Sequence, residues 1–191
     1  MRASFSAAYP AIVLLASTLL LGPWKLLRAR ANPVSSDLRR DLGIWAGIMS
    51  IVHAAAGQCV HLRGRPWLYY VYSHQDRHHA LQTFPLRHDI FGLANWTGAF
   101  ATLLLIPLMA TSNDWALRRM GARGWKGLQR WNYALFALVA FHGFAYQLGV
   151  ENRHADFVLT TVLCVAVMSG MQLAGFIAHR RRDVPRRRTL A

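Results

Sequence analysis

Apolar and charged residues in this chain are kept apart, and that separation restricts its folds more than any other feature. Stretches of about 20 residues carry almost no charge, and the Lys and Arg residues cluster between them. A soluble domain interleaves the two classes, because each of its elements shows one face to water. A run of roughly 20 predominantly apolar residues is instead what crosses about 30 Å of hydrocarbon. Five such runs occur, at about 8–27, 42–62, 91–111, 131–149 and 157–178. The chain combines 54% hydrophobic residues with a formal net charge of +14. It therefore reads as an all-α integral membrane protein, a bundle of five transmembrane helices. No repeat or Gly/Ser-rich linker separates the runs, so residues 1–191 are expected to form one membrane domain.

The basic residues predict an orientation. Only Arg2 precedes the first run, and Lys25, Arg28 and Arg30 follow it directly. A secretory signal carries its charge in front, so this run is expected to be an uncleaved helix. The same side would hold Arg39 and Arg40, the cluster from Arg118 to Arg130, and Arg180–Arg182 with Arg186–Arg188. Together these make sixteen of the 22 basic residues. The positive-inside rule then puts the N-terminus outside and the C-terminus in the cytoplasm. The basic tail 179–191 is expected to meet anionic lipid headgroups rather than nucleic acid.

Cys59 and Cys164 both fall in apolar runs and form no CxxC or CxxCH motif, so both are expected to be buried thiols. Two of the nine histidines are placed differently. His53 lies 11 residues beyond Leu42, and His142 lies 11 beyond Trp131. At 1.5 Å per residue both sit roughly 16 Å along their helices. An ionisable group at that depth is costly unless it faces the bundle and has a partner. Two imidazoles at matching depth are placed to bind one metal centre between facing helices. Small residues near them, Ser50, Ala56 and Gly57 on one helix and Gly143 on the other, leave room for a flat ligand. The plainer reading is that each histidine hydrogen-bonds a neighbouring helix, with the small residues serving tight packing.

Two longer strings narrow this choice. TSNDWALRRMGARGWKGLQRWNYALFALVAFH, residues 111–142, resembles the ferric reductase-like transmembrane family through Thr111, Ser112, Arg118, Gly121, Trp125, Leu128, Arg130, Tyr133 and His142. Upstream, LLRARANPVSSDLRRDLGIWAGIMSIVH, residues 26–53, resembles the family's approach to its other haem-ligating histidine, here His53. The resemblance covers most of residues 10–150. It implies a b-type haem, one per chain, held by His53 and His142 as low-spin axial ligands. It implies an electron-transfer subunit of an oxidoreductase in a bacterial cytoplasmic (inner) membrane. The donor would be a cytoplasmic flavin protein or a quinol, and the acceptor an external, periplasmic reductase. No GxGxxG loop occurs, so flavin or quinone would come with a partner. Arg39, Arg40 and Arg130, at the cytoplasmic helix ends, are candidates to pair with haem propionates, beside ordinary anchoring.

Three departures from the family stand out. Gln129 occupies a position where relatives carry a histidine, which points to one haem rather than two. Five helices are expected where relatives typically have six. The second loop, 63–90, is enlarged and holds His74, His78, His79 and His88. His74 and His78 have a spacing that would bind metal on a helix. The plainer expectation is a solvated interfacial loop with Trp67, Tyr69, Tyr70 and Tyr72 at headgroup level. His61 stands near the outer end of the second helix as a further candidate for a haem edge or a docking surface, and His154 and His179 flank spans. Two other functions stay open: a haem-free membrane scaffold, and a metal-binding membrane protein using the His-rich loop.

Overall fold

The computed structural model describes residues 2–28, 34–60, 65–73, 85–151 and 155–188. Its helices are α1 (Arg2–Arg28), α2 (Val34–Val60), α3 (Ile90–Ala110), α4 (Asp114–Gln129), α5 (Asn132–Phe144) and α6 (Ala155–Arg188). A π-helical segment, Ala145–Glu151, continues α5, and a 3-10 turn, Pro66–Tyr69, lies between α2 and α3. Five spans are long and apolar enough to cross a membrane: Ser6–Arg28, Asp37–Cys59, Ile90–Ala110, Asp114–Val150 and Val158–Arg181. Leu103, Leu159 and Leu173, on two of these spans, are more than half exposed, as side chains facing hydrocarbon are.

Helix α1 runs through the middle of the packing. Its Ile12, Leu15, Ala16 and Leu19 form one buried cluster with residues of α2, α3 and α5, among them Ala46, Leu105 and Phe136. Such contact is the main attraction between helices in lipid, where water supplies no drive to bury apolar surface. Alongside α1 lie α2 and α6, and α3 packs against α5.

The basic clusters gather at one end of the bundle. Lys25 and Arg28 close α1, Arg40 of α2 pairs with Asp114 of α4, and Gln172 of α6 donates to the Leu19 carbonyl, 3.0 Å. That last contact lays the C-terminal half of α6, with Arg180 and Arg181, along the same end. Helix α6 runs on to Arg188, so most of the expected tail continues the helix.

Three elements differ from expectation for physical reasons. Helix α2 starts at Val34 rather than near residue 42, because Asp37 in its first turn suits the helix dipole and pairs with Arg40, 3.8 Å away. Residues 114–129, which lie between two of the expected runs, form helix α4. The Asn113 side chain caps it by accepting from the Ala116 N–H, 2.8 Å. Gly121 kinks it with φ 70° and ψ 160°, a conformation essentially confined to glycine.

The segment between α2 and α3 is the third. Tyr69 and Tyr72 are 1% and 4% exposed, so they plug the bundle end instead of being solvated; Trp67 alone of the four aromatics is exposed. Val71 and Leu86 form a β-bridge across this strap. Arg87 pairs with Asp89 at 2.6 Å, donates to the Leu68 carbonyl, and lies over the rings of Tyr72 and Phe91. Partial burial on its own would raise the pKa of the Asp89 carboxyl. Hydrogen bonds from Arg87 and the Gly92 N–H, with the charges of Arg87 and His88, outweigh this and hold it below its ordinary value. Cys164 is half-buried against the core, but Cys59 is exposed, contrary to expectation, because it stands on the face of α2 that also carries the exposed Trp45 and Val52.

Candidate functional site

His142 is fixed by its neighbours on α3. Its Nδ1–H donates to the Ala94 carbonyl oxygen, 2.7 Å away. A carbonyl only accepts, so the proton lies on Nδ1 and the neutral ring keeps its lone pair on Nε2. Metal-ligating histidines are oriented by this kind of bond to a carbonyl or carboxylate. Gly98, one turn along α3, supplies the space: a Cβ there would lie 2.9 Å from both Cε1 and Nδ1 of the His142 ring. Tyr146 stacks at a tilt on the other side, with ring centres 5.2 Å apart.

His53 of α2 meets this ring. The two imidazole centres are 6.0 Å apart, with their planes 75° from parallel. One metal ion between two imidazoles needs two bonds of about 2.0–2.1 Å plus roughly 1.2 Å from each nitrogen to its ring centre. That separates the centres by roughly 6.4 Å. The pair as it stands is within half an ångström of that spacing.

Both rings line a cavity of about 600 Å³ between α1, α2, α3 and α5. A cofactor pocket is commonly 300–1,000 Å³, mostly apolar with a few placed polar groups. Here Ile12, Leu15, Leu105, Leu135 and Val139 supply apolar wall. Polar groups come from Gln58, Tyr70, Asn95, Tyr146 and Gln147. Gly57 and Gly143 also line it, in keeping with the room expected beside each histidine.

The other expected residues lie elsewhere. Arg39, Arg40 and Arg130 do not line this cavity. Arg40 binds Asp114, Arg39 reaches toward Gly22 of α1, and Arg130 is exposed at the end of α4. Gln129 ties three elements together: it donates to the Leu108 carbonyl at 3.3 Å and accepts from Asn132 at 2.8 Å. His88 is exposed, with its ring edge-on to Tyr72 at 5.5 Å. His179 is exposed on α6. His61, His74, His78, His79 and His154 lie outside the described residues. Among the described residues no group of three or more His, Cys, Asp or Glu side chains is placed to hold a metal ion.

Sequence reasoning passed over Gln58 and Gln147, yet a signal was present. HAAAGQ and HGFAYQ put a glutamine five residues after each key histidine. Gly98 and Ala94 carried no such signal, because their part depends on how α3 and α5 cross.

A family model described as the ferric reductase like transmembrane component matches residues 7–140. The match includes His53 and stops two residues short of His142. Two proteins named protein-methionine-sulfoxide reductase heme-binding subunit MsrQ are similar to the chain. That of Bordetella pertussis is 28% identical over 176 residues, covering 92% of this chain and 74% of the relative. That of Yersinia pseudotuberculosis is 30% identical over 134 residues, covering 69% of this chain and 56% of the relative. The chain thus spans a little over half the length of the Yersinia relative.

Proposed function

Because the chain belongs to the ferric reductase-like transmembrane family, we propose that its cavity holds one b-type haem between His53 and His142 and that the protein passes single electrons through the membrane. The observation that carries this is the meeting of two imidazoles, 6.0 Å apart, on the wall of a largely apolar cavity of about 600 Å³. The relatives' name as heme-binding subunits supports the same cofactor. The donor set fits it: two imidazole nitrogens, one pre-oriented through Ala94.

When bound, a haem with two histidine ligands supplies an iron couple that takes up and releases one electron at a time. The chain's own residues do the rest. His53 and His142 would both ligate the iron, which suits it to passing electrons rather than binding oxygen. The Ala94 carbonyl holds the His142 ring in one tautomer and one orientation. The apolar wall keeps water from the site, and Gly98 lets α3 approach the His142 ring. Arg39, Arg40 and Arg130 act as anchors at the basic end, which is the cytoplasmic side by the positive-inside rule. In this orientation both termini keep their expected sides, N-terminus out and C-terminus in, within a bacterial inner membrane.

Electrons come from a cytoplasmic flavin protein or a membrane quinol and leave to an acceptor outside. The relatives' name points to a methionine-sulfoxide reductase as that acceptor. The test is to replace His53 and His142 singly with Ala and record reduced-minus-oxidised spectra of the purified proteins. Each variant is expected to lose the low-spin haem signal. Retention of that signal in both variants would overturn the ligand assignment.

A further inference from the structure

We propose that the haem read into this cavity sits with its carboxylate-bearing edge toward the strap end of the bundle, received by the amides of Gln58 and Gln147 and the hydroxyl of Tyr70, and not by the arginines of the basic end. The inference rests on the haem reading and adds the direction in which the cofactor is inserted.

Gln58 and Gln147 each stand five residues beyond a key histidine, on segments that both run from the basic end toward the strap. Both therefore lie roughly 7 Å nearer the strap than the imidazoles. Both line the cavity, and Gln147 is 3% exposed. The Oε1 atom of each is buried with no hydrogen-bond partner among the described residues. A buried amide group left unpaired has lost its water and gained nothing in return. Two such groups at one level of one cavity call for a polar group between them.

Their polar neighbours supply a contrast. Asn95 donates to the Phe91 carbonyl at 2.7 Å and accepts from the Tyr146 hydroxyl at 3.1 Å, so that pair is satisfied within the protein. Tyr70 is half-committed: its oxygen accepts from Gln58 Nε2 at 2.8 Å, which leaves its own proton to be given onward. A glutamine amide presents either its oxygen or its NH₂ group by rotation of the terminal torsion. Gln58 either keeps its donation to Tyr70, whose hydroxyl then donates onward, or turns, accepts the Tyr70 proton at Oε1 and presents its NH₂ group instead. With a turned Gln147 this offers donors, and an ionised carboxylate only accepts. Elsewhere on the wall the Ser50 and Thr102 hydroxyls give their protons to the Ala46 and Gly98 carbonyls, 2.8 and 2.9 Å away, and Ile12, Leu15, Leu105, Leu135 and Val139 offer nothing to a charge. A macrocycle with an apolar body and two carboxylates on one edge matches this wall in one sense only.

The experiment titrates the full-length protein, produced without haem, with haem b and with its dimethyl ester, in which both carboxylates are capped. The readout is the low-spin absorption band as a function of ligand. The wild type is expected to favour haem b by at least about tenfold. The Gln58→Leu/Gln147→Leu variant is expected to bind the ester as the wild type does and to lose the preference, whereas Arg39→Gln/Arg130→Gln keeps it. Should the double leucine variant not fold, Gln147→Glu serves instead, since a carboxylate there repels those of haem b and favours the ester. A preference that survives the glutamine changes and disappears with the arginine changes would show the cofactor inserted the other way. A wild type that binds both forms equally also overturns the proposal. Binding of neither form would overturn the haem reading itself.

Discussion

The basic end of the bundle and the cavity treat their polar groups in opposite ways. At the basic end nearly every described contact closes on the protein itself. Trp125 Nε1–H donates to the Thr111 carbonyl, Gln129 joins Leu108 to Asn132, Asn113 caps α4, and Arg40 binds Asp114. Toward the strap, the cavity leaves Gln58 and Gln147 with unpaired oxygens and keeps about 600 Å³ of space beside two imidazoles. A closed network adds rigidity, and an open one costs stability unless a ligand completes it. The basic end is built to hold helices at an interface, and the cavity to hold something else.

Substitutions at the two ends should therefore fail differently. The largest effect is expected at Gly98, where even alanine puts a methyl group 2.9 Å from the His142 ring. Overpacking of this kind costs about 1–3 kcal/mol. Because it displaces the ring from Ala94, Gly98→Ala should weaken haem retention about tenfold or more while circular dichroism still shows the helices. Unchanged retention would mean that the ring position does not matter.

At the basic end Gly121→Ala should lower stability with no change in the haem spectrum. Nothing lies within 4 Å of the added Cβ, so the cost is the backbone conformation alone, about 1–3 kcal/mol. A thermal melt in detergent measures it. Gln129→Leu should cost somewhat less, about 1–2 kcal/mol, for the lost hydrogen bonds. Its spectrum should match the wild type, and a lost or halved haem signal would make Gln129 part of the cofactor site.

The smallest effect concerns the strap. Asp89 has a folded-state pKa below its ordinary 3.8, so its contribution is fully present above about pH 4 and is lost as the pH falls through the lower folded value. Melting temperature should drop over that acid window in the wild type. Asp89→Asn should flatten this part of the profile, and identical profiles would remove Asp89 from the clasp.

The same contrast explains what the amino-acid sequence disclosed. The spans were legible because hydrocarbon demands long apolar runs whatever their neighbours do. The pairing of His53 with His142 was legible because depth along a helix follows from counting residues. Helix α4 was not, since it is basic, broken by Gly121, and held by Trp125 and Gln129 against the ends of other helices. The first two turns of α2 escaped notice because they are polar and project past the apolar run. Tyr69 and Tyr72 were expected in a solvated loop, but folding of the strap buries them. Arg39, Arg40 and Arg130 were candidates on charge and on their place at helix ends, and that they do not line the cavity follows from helix packing that no local pattern records.

Whether the cavity holds one haem is decided by the haem content of the wild-type protein, purified in detergent after expression with ample haem. A pyridine haemochrome assay with reduced-minus-oxidised spectra gives both the type and the amount. A low-spin b-type haem at about one per chain is expected. A folded protein without haem would contradict it and turn attention to a scaffold role or to the His-rich segment 63–90. About two haems per chain would contradict the single site and call for a second pair of ligands beyond His53 and His142.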